Sequence, residues 1–276
     1  MADGDWARYR QLRGKTLPAG FEFRSCAYAL EKLYKRDFYA ATGVYRREGP
    51  DRANPPDRVV LKIYHTDPFW FLPLDWLGRW LCRREADFLH ALDGIRGVPR
   101  LLARHGQAGM VREFIPGRNL REYLTAARPD PSFFPRLAAI LDAVHQRGIC
   151  HNDLHKPENI LVRPDGSPVL IDFQIAATLP TRLPVLGRLA RRTLGYLQEM
   201  DRYHLQKHHR LLCPDQLSPE QKRTALRKGV LLTLHGWLLR RPYRAVRHFV
   251  MNRFMRVGPA GGESLDPAKT PGRRAA

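Results

Sequence analysis

The sequence predicts an α+β protein with a β-rich N-terminal lobe and a helical C-terminal lobe. Short runs of β-branched and aromatic residues dominate up to about residue 116, and helical periodicities dominate beyond it. A chain of 276 residues, 43% of them hydrophobic, can fill one large domain or two small lobes. The expected divisions are a loose tail over 1–20, the N-terminal lobe over 21–116, the C-terminal lobe over 117–257 and a Gly/Pro-rich disordered tail over 258–276.

Taken in order, 21–44 mixes aromatic and charged residues and reads as two or three short strands. EGPDRANPPD (48–57) is a turn or loop, and RVVLKIY (58–64) is short, β-branched and strand-like. The aromatic segment 65–80 is interrupted by Pro68, Pro73 and Gly78. LCRREADFLHAL (81–92) repeats Leu81, Phe88, Leu89 and Leu92 at helical spacing. Residues 98–115 read as two strands joined by a turn at Gly106 to Gly109, and PGRNL (116–120) as a linker. In 131–148, Leu137, Ile140, Leu141 and Val144 mark one face of a helix that Gly148 caps. ILV and VLID flank an Asp165-Gly166 turn, a strong hairpin signal. From Pro180 to about Val257 the chain reads as basic amphipathic helices.

The chemistry concentrates in His151-Asn152-Asp153-Leu154-His155-Lys156-Pro157-Glu158-Asn159, followed by the hairpin and Ile171-Asp172-Phe173. Phosphoryl transfer needs little covalent help from a protein. It needs magnesium on the phosphates, a clamp around them and a carboxylate that orients the acceptor hydroxyl. An Asp and an Asn on one loop, with a second Asp after an adjacent strand, supply such groups. The hairpin is expected to bring Asp172 towards Asn159.

HNDLHKPENILV…IDF resembles the catalytic loop and magnesium site of protein kinases. The resemblance implies a two-lobed protein-kinase-like fold that uses ATP and Mg2+. It implies that Asp153 accepts or orients the hydroxyl proton, that Asn159 and Asp172 hold magnesium, and that His151 braces the loop. It also implies a strand lysine on the α- and β-phosphates and a helix glutamate holding that lysine. Lys62 and Glu85 match these. Val60 shares a strand face with Lys62 and would roof the base. Glu113 falls where a hinge joins the lobes, and its neighbouring backbone would bond adenine; Arg112 then falls at the back of the pocket.

The sequence departs from that pattern in four places. Ala41-Thr42-Gly43-Val44 offers a single glycine where a glycine-rich phosphate loop is expected. The spacing from Asp153 to Asn159 is one residue longer than in HRDLKPEN, which also displaces Lys156. Gln174 replaces the glycine of DFG, and no APE-like segment follows. These departures resemble small bacterial and RIO-like atypical kinases and the kinases of lipopolysaccharide sugars. The resemblance covers about 21–180 and specifies no substrate.

A formal net charge of +20 and a pI near 10.5 favour anionic partners: phosphates, nucleic acid or lipid headgroups. Two segments suit an anionic membrane surface: the aromatic run 69–81, and basic amphipathic helices over 187–197 and 236–256. Packing of the same residues into the lobes is the competing reading. Cys26, Cys82, Cys150 and Cys213 lack metal-knuckle or CxxC spacing and read as free thiols of a reducing compartment. With neither a signal-peptide core nor a run of about 20 apolar residues, the expected location is cytoplasmic, with peripheral attachment to the inner membrane face as an extension.

The expected partners are ATP and a hydroxyl-bearing acceptor, either protein or glycolipid. No RNA-recognition aromatic motif is visible, which ranks nucleic acid low. A non-catalytic pseudokinase that docks other molecules is the competing function. A hydrolytic metal site of His151, Asp153 and His155 would leave Asn159, Asp172 and Lys62 without roles. His204, His208 and His209 recur at helical spacing and read as part of a solvated basic face, with a metal site as the alternative.

Overall fold

The computed structural model describes residues 17–36, 39–49, 55–65, 75–180 and 187–218. The chain divides into units 1–227 and 228–276, and the second lies outside the described residues. So do most of the aromatic segment before α1, the basic segment 236–256 and the C-terminal tail.

Six antiparallel strands form the first lobe: β1 (Gly20–Phe23), β2 (Cys26–Arg36), β3 (Ala40–Arg47), β4 (Arg58–Tyr64), β5 (Leu101–His105) and β6 (Gly109–Glu113). Their order is β1-β2-β3-β4-β6-β5. Strand alternation gives the sheet two faces. Tyr28, Tyr45, Val59, Leu61 and Val111 build a core on one of them. On the other, Val44 and Val60 lie directly opposite each other and are buried, yet belong to neither core cluster.

Helix α1 (Asp75–Ala91) begins six residues before the expected start at Leu81. Asp75 favours the positive helix N-terminus and pairs with Arg79 one turn on, while Gly78 is buried rather than helix-breaking. Trp76 and Trp80 thereby become helical residues, 59% and 48% exposed.

The segment expected as a plain linker is structured. β7 (Arg118–Asn119) pairs with β8 (Ile160–Val162), and Asn119 caps the short helix α2 (Leu120–Tyr123) by accepting from the Glu122 N–H at 2.9 Å. Helix α3 (Phe133–Gln146) buries Leu137, Leu141 and Val144, half-buries Ile140, and is followed by Gly148 at φ +71°. β9 (Pro168–Leu170) pairs with β8, and Gly166 takes φ +75° in the connecting turn. The second hairpin strand ends two residues before Asp172, earlier than expected, because Asp172 adopts φ +66° and leaves the ladder.

One apolar core joins α1, α3, the β8–β9 hairpin and Leu205 of helix α4 (Gly187–Leu212). Gly97 ties α1 to the hairpin: its carbonyl accepts from the Leu170 N–H at 2.8 Å. It sits at φ +97°, and a Cβ there would lie 2.4 Å from Ile140. Among the described residues, no helix is long and apolar enough to cross a membrane.

Candidate active site

Lys62 stands near the end of the central strand β4, 5% exposed. Its Nζ donates to Glu85 Oε2 of α1 at 2.7 Å and to Asp172 Oδ1 at 2.9 Å. Burial penalises the Lys62 ammonium, but the Asp172 and Glu85 carboxylates outweigh that and hold its pKa well above the ordinary lysine range. Tyr64 donates its hydroxyl to the same Glu85 oxygen, and burial pushes the phenol pKa far up. Gln174 adds an oxygen 3.4 Å from Lys62 Nζ, so the residue in the DFG-glycine position contacts the central cation.

Asp172 is half-buried. Burial opposes its ionisation, yet the ammoniums of Lys62 and Lys35 and the Arg112 guanidinium hold its carboxyl well below the usual range. Asn152 and Asp172 both occupy left-handed backbone, at φ +65° and +66°. Asn and Asp tolerate this region better than other side chains with a Cβ, and such conformations cluster at functional sites.

The loop after α3 carries Asp153, 4% exposed, and Asn159, 6% exposed. Asp153 Oδ2 accepts from Lys156 Nζ at 2.7 Å and from Asn159 Nδ2 at 2.9 Å. Lys156, displaced by the longer loop, thus still reaches the carboxylate. Asp153 Oδ1 is buried and accepts no hydrogen bond among the described residues, although His155 Nδ1 lies 3.1 Å away at ion-pairing range. Asn159 also donates to the Asp153 carbonyl at 3.0 Å, and its own carbonyl accepts from the Ile171 N–H at 2.9 Å. That last bond holds the Asp172 segment against Asn159.

His151 is fully buried. Its Nε2 donates to the Ile171 carbonyl at 3.0 Å, and its Nδ1 accepts from the Asp153 N–H at 3.3 Å, which fixes a neutral tautomer. Both ring nitrogens are therefore engaged, and no group of three metal-ligating side chains forms among the described residues.

Three supports are not anticipated from the sequence. Asp201 of α4, 1% exposed, accepts from the His151 N–H at 2.7 Å, the Asn152 N–H at 2.8 Å and the His145 ring at 3.2 Å. Arg84 of α1 donates to the Ala176 carbonyl at 2.5 Å, linking the Glu85 helix to the chain after Asp172. His208 is buried, not solvated as expected: its Nε2 donates to the Leu154 carbonyl at 2.8 Å, and burial lowers its pKa. His209 stacks on Phe134 with centroids 4.2 Å apart, so it too packs into the lobe. A helix-periodic signal is available for Asp201, because it shares the buried stripe of Ala190, Leu194, Leu205 and His208.

Val60 is 3% exposed and lies opposite Arg112 of β6. Glu113 ends β6; its N–H donates to the Arg100 carbonyl at 2.9 Å, and its carboxylate accepts from the Arg100 N–H at 3.2 Å. The Glu113 N–H and carboxylate are thus both engaged with Arg100.

The donor set suits a small hard cation, which prefers oxygen ligands. Asp172 presents an ionised carboxylate. Asn159 spends its amide N–H groups on Asp153, which leaves its oxygen as the amide's acceptor atom.

A sheet lysine joined to a helix glutamate and to a carboxylate beyond a hairpin, above a loop bearing Asp and Asn, defines a protein-kinase-like fold. The similarities to known proteins point the same way. The chain is 35% identical over 129 residues to serine/threonine-protein kinase C of Synechocystis sp., covering 42% of this chain and 23% of that protein. It is 33% identical over 104 residues to a probable serine/threonine-protein kinase PknB of Lactococcus lactis, covering 35% and 16%. CBL-interacting protein kinase 16 of Oryza sativa is 31% identical over 113 residues, covering 39% and 24%. The chain spans less than a quarter of the length of each of these relatives. No family model matches it.

Proposed function

We propose that the chain is an ATP- and Mg2+-dependent phosphotransferase that moves the γ-phosphate to an acceptor hydroxyl. The observation that carries this reading is Lys62 Nζ, held between Glu85 at 2.7 Å and Asp172 at 2.9 Å. Lys62 neutralises the α- and β-phosphates while Glu85 fixes its direction. Asn159 and Asp172 hold the magnesium, which supplies charge neutralisation on the phosphates. Val60 covers the base, and the backbone after Glu113 bonds it.

Asp153 takes the acceptor proton; Lys156 and Asn159 donate to its Oδ2, and His155 Nδ1 lies 3.1 Å from its Oδ1. The two donors on Oδ2 hold the carboxylate in one orientation, so an acceptor hydroxyl meets a positioned base. Asp201 acts through the backbone of His151 and Asn152 and is a positioning residue.

The near absence of glycine over the phosphates, the lengthened loop and Gln174 favour the atypical bacterial branch that resembles RIO-like and lipopolysaccharide kinases. Two acceptors follow from that branch: a protein Ser/Thr hydroxyl, and a sugar hydroxyl on a membrane glycolipid. The exposed Trp76 and Trp80 on α1, with the chain's +20 charge, favour the glycolipid and a peripheral site on the inner membrane face. Incubation with γ-labelled ATP and Mg2+, first with membrane lipids and then with generic proteins, separates the two. Label is expected in the lipid pool. Label in neither pool, with no ATP turnover, would favour the pseudokinase alternative.

A further inference from the structure

We propose that Lys35 on the β2–β3 hairpin is a second phosphate-binding residue, gripping the terminal phosphates of the nucleotide by charge in place of a glycine-rich loop. The inference rests on the phosphotransferase reading above and assigns to that site a residue outside the motifs that suggested it.

Strand register carries the argument. Lys35 lies opposite Thr42, Thr42 lies opposite Lys62, and residues directly opposite in antiparallel strands share a face. Lys35 and Lys62 therefore project from the same side of the sheet. The parallel row Lys32, Val44, Val60 and Arg112 lies on that side as well. Plain alternation along β2 would put Lys32 and Lys35 on opposite faces, because they are three residues apart. The register shift between Leu33 and Lys35 adds the residue that reverses this and turns Lys35 toward Asp172.

The side chain agrees with the backbone. Lys35 Nζ lies 4.0 Å from Asp172 Oδ2, while Lys62 holds Oδ1 of the same carboxylate at 2.9 Å. The Lys35 side chain is 55% exposed and that of Lys62 7%, so the two ammoniums approach Asp172 from the solvent side and from within. A ligand that places phosphates beside Asp172 meets both. Backbone amides of a glycine-rich loop need glycine for close approach; a lysine on a bulged strand reaches the same oxygens without it. The hairpin accordingly has a cation where glycine is missing. The space beside its single Gly43 is filled by the Leu17 and Leu30 side chains, which would lie 2.7 and 2.8 Å from a Cβ at that position, on the face away from Asp172.

The test is calorimetric titration of Mg·ATP, Mg·ADP and AMP into the full chain and its Lys35→Ala, Lys35→Gln and Lys35→Arg variants, with melting temperatures alongside. Losing a charged hydrogen-bond donor to phosphate is expected to weaken Mg·ATP by about tenfold to a hundredfold. Mg·ADP should weaken less and AMP not at all. Lys35→Arg should recover most of the loss, and the melting temperatures should stay level. Equal Mg·ATP affinity in wild type and Lys35→Ala overturns the inference and leaves the phosphotransferase reading standing. A loss as large for AMP as for ATP, or one that tracks a fall in melting temperature, also overturns it by exposing a structural role. Failure of the wild type to bind Mg·ATP removes the parent reading and the inference together.

Discussion

The loop that carries Asp153 and Asn159 and the β2–β3 hairpin approach Asp172 from opposite lobes, and they hold their polar groups in contrasting ways. In the loop, His151, Asp153 and Asn159 are 6% exposed or less, and Asp201 accepts from two consecutive backbone N–H groups beneath them. In the hairpin, Leu33, Tyr34 and Tyr39 are 38%, 49% and 45% exposed, and β2 carries two register shifts. Groups that move a proton need fixed geometry, which burial and a supporting layer of hydrogen bonds provide. A cover that grips phosphates by charge tolerates movement, since Coulomb attraction depends weakly on angle. On the proposed function, the contrast separates positioned chemistry from adaptable binding.

The largest effect should come from removing the support of the loop. Asp201→Ala leaves two backbone donors and the His145 ring without their acceptor, a loss of about 3–9 kcal/mol at about 1–3 kcal/mol per unsatisfied group. Thermal unfolding should show a fall of roughly 10 °C, with phosphoryl transfer lost. Asp153→Ala should cut kcat by about 10²–10⁴-fold while nucleotide affinity and folding stay near wild type. Turnover equal to wild type in that variant would remove Asp153 from the chemistry.

A third variant probes the ion cluster between the lobes through pH. The folded-state pKa of Asp172 is depressed, so its contribution to stability is present above its unfolded value, about 3.9, and is lost as pH falls through the lower folded value. The folded-state pKa of Lys62 is raised, so its contribution is present below about 10.4 and is lost as pH rises through the higher folded value. Melting temperature should therefore hold between about pH 4 and 10 as far as this pair is concerned. Lys62→Met should move the acid-side loss toward higher pH; an unchanged acid limb would mean that Asp172 does not depend on Lys62.

Smaller effects sharpen the contrast. Gly97→Ala places a Cβ against Ile140 at positive φ and should cost about 1–3 kcal/mol in denaturant unfolding. Tyr34→Ala on the hairpin removes a ring that is 49% exposed, with Lys32 Nζ 5.3 Å from its centroid, and should cost under about 1 kcal/mol. A Tyr34 penalty as large as that of Asp201→Ala would erase the difference between the two regions.

The same contrast explains what is legible in the sequence. Asp153, Asn159 and Asp172 stand within a short stretch around a hairpin signal, so local pattern suffices to group them. Lys62 and Glu85 can be named because a strand and a helix are each readable from periodicity. Asp201 escapes notice because it lies about fifty residues from the loop in a helix rich in charged residues, where, beside Glu199 and Arg202, it resembles a solvated charge. His208 misleads for the same reason: spacing alone does not tell a buried helix face from a wet one. Lys35 is hidden because its orientation depends on a β-bulge, and alternation along β2 predicts the opposite face. The early start of α1 is masked by Pro73 and Gly78, which read as breakers until Asp75 is recognised as a first-turn residue.

The most direct test titrates ATP into wild type and Asp172→Asn, each with and without magnesium. Magnesium should tighten binding to wild type by about tenfold or more and leave the variant unaffected. Equal affinities in all four titrations would contradict a metal–triphosphate site between Lys62 and Asp172.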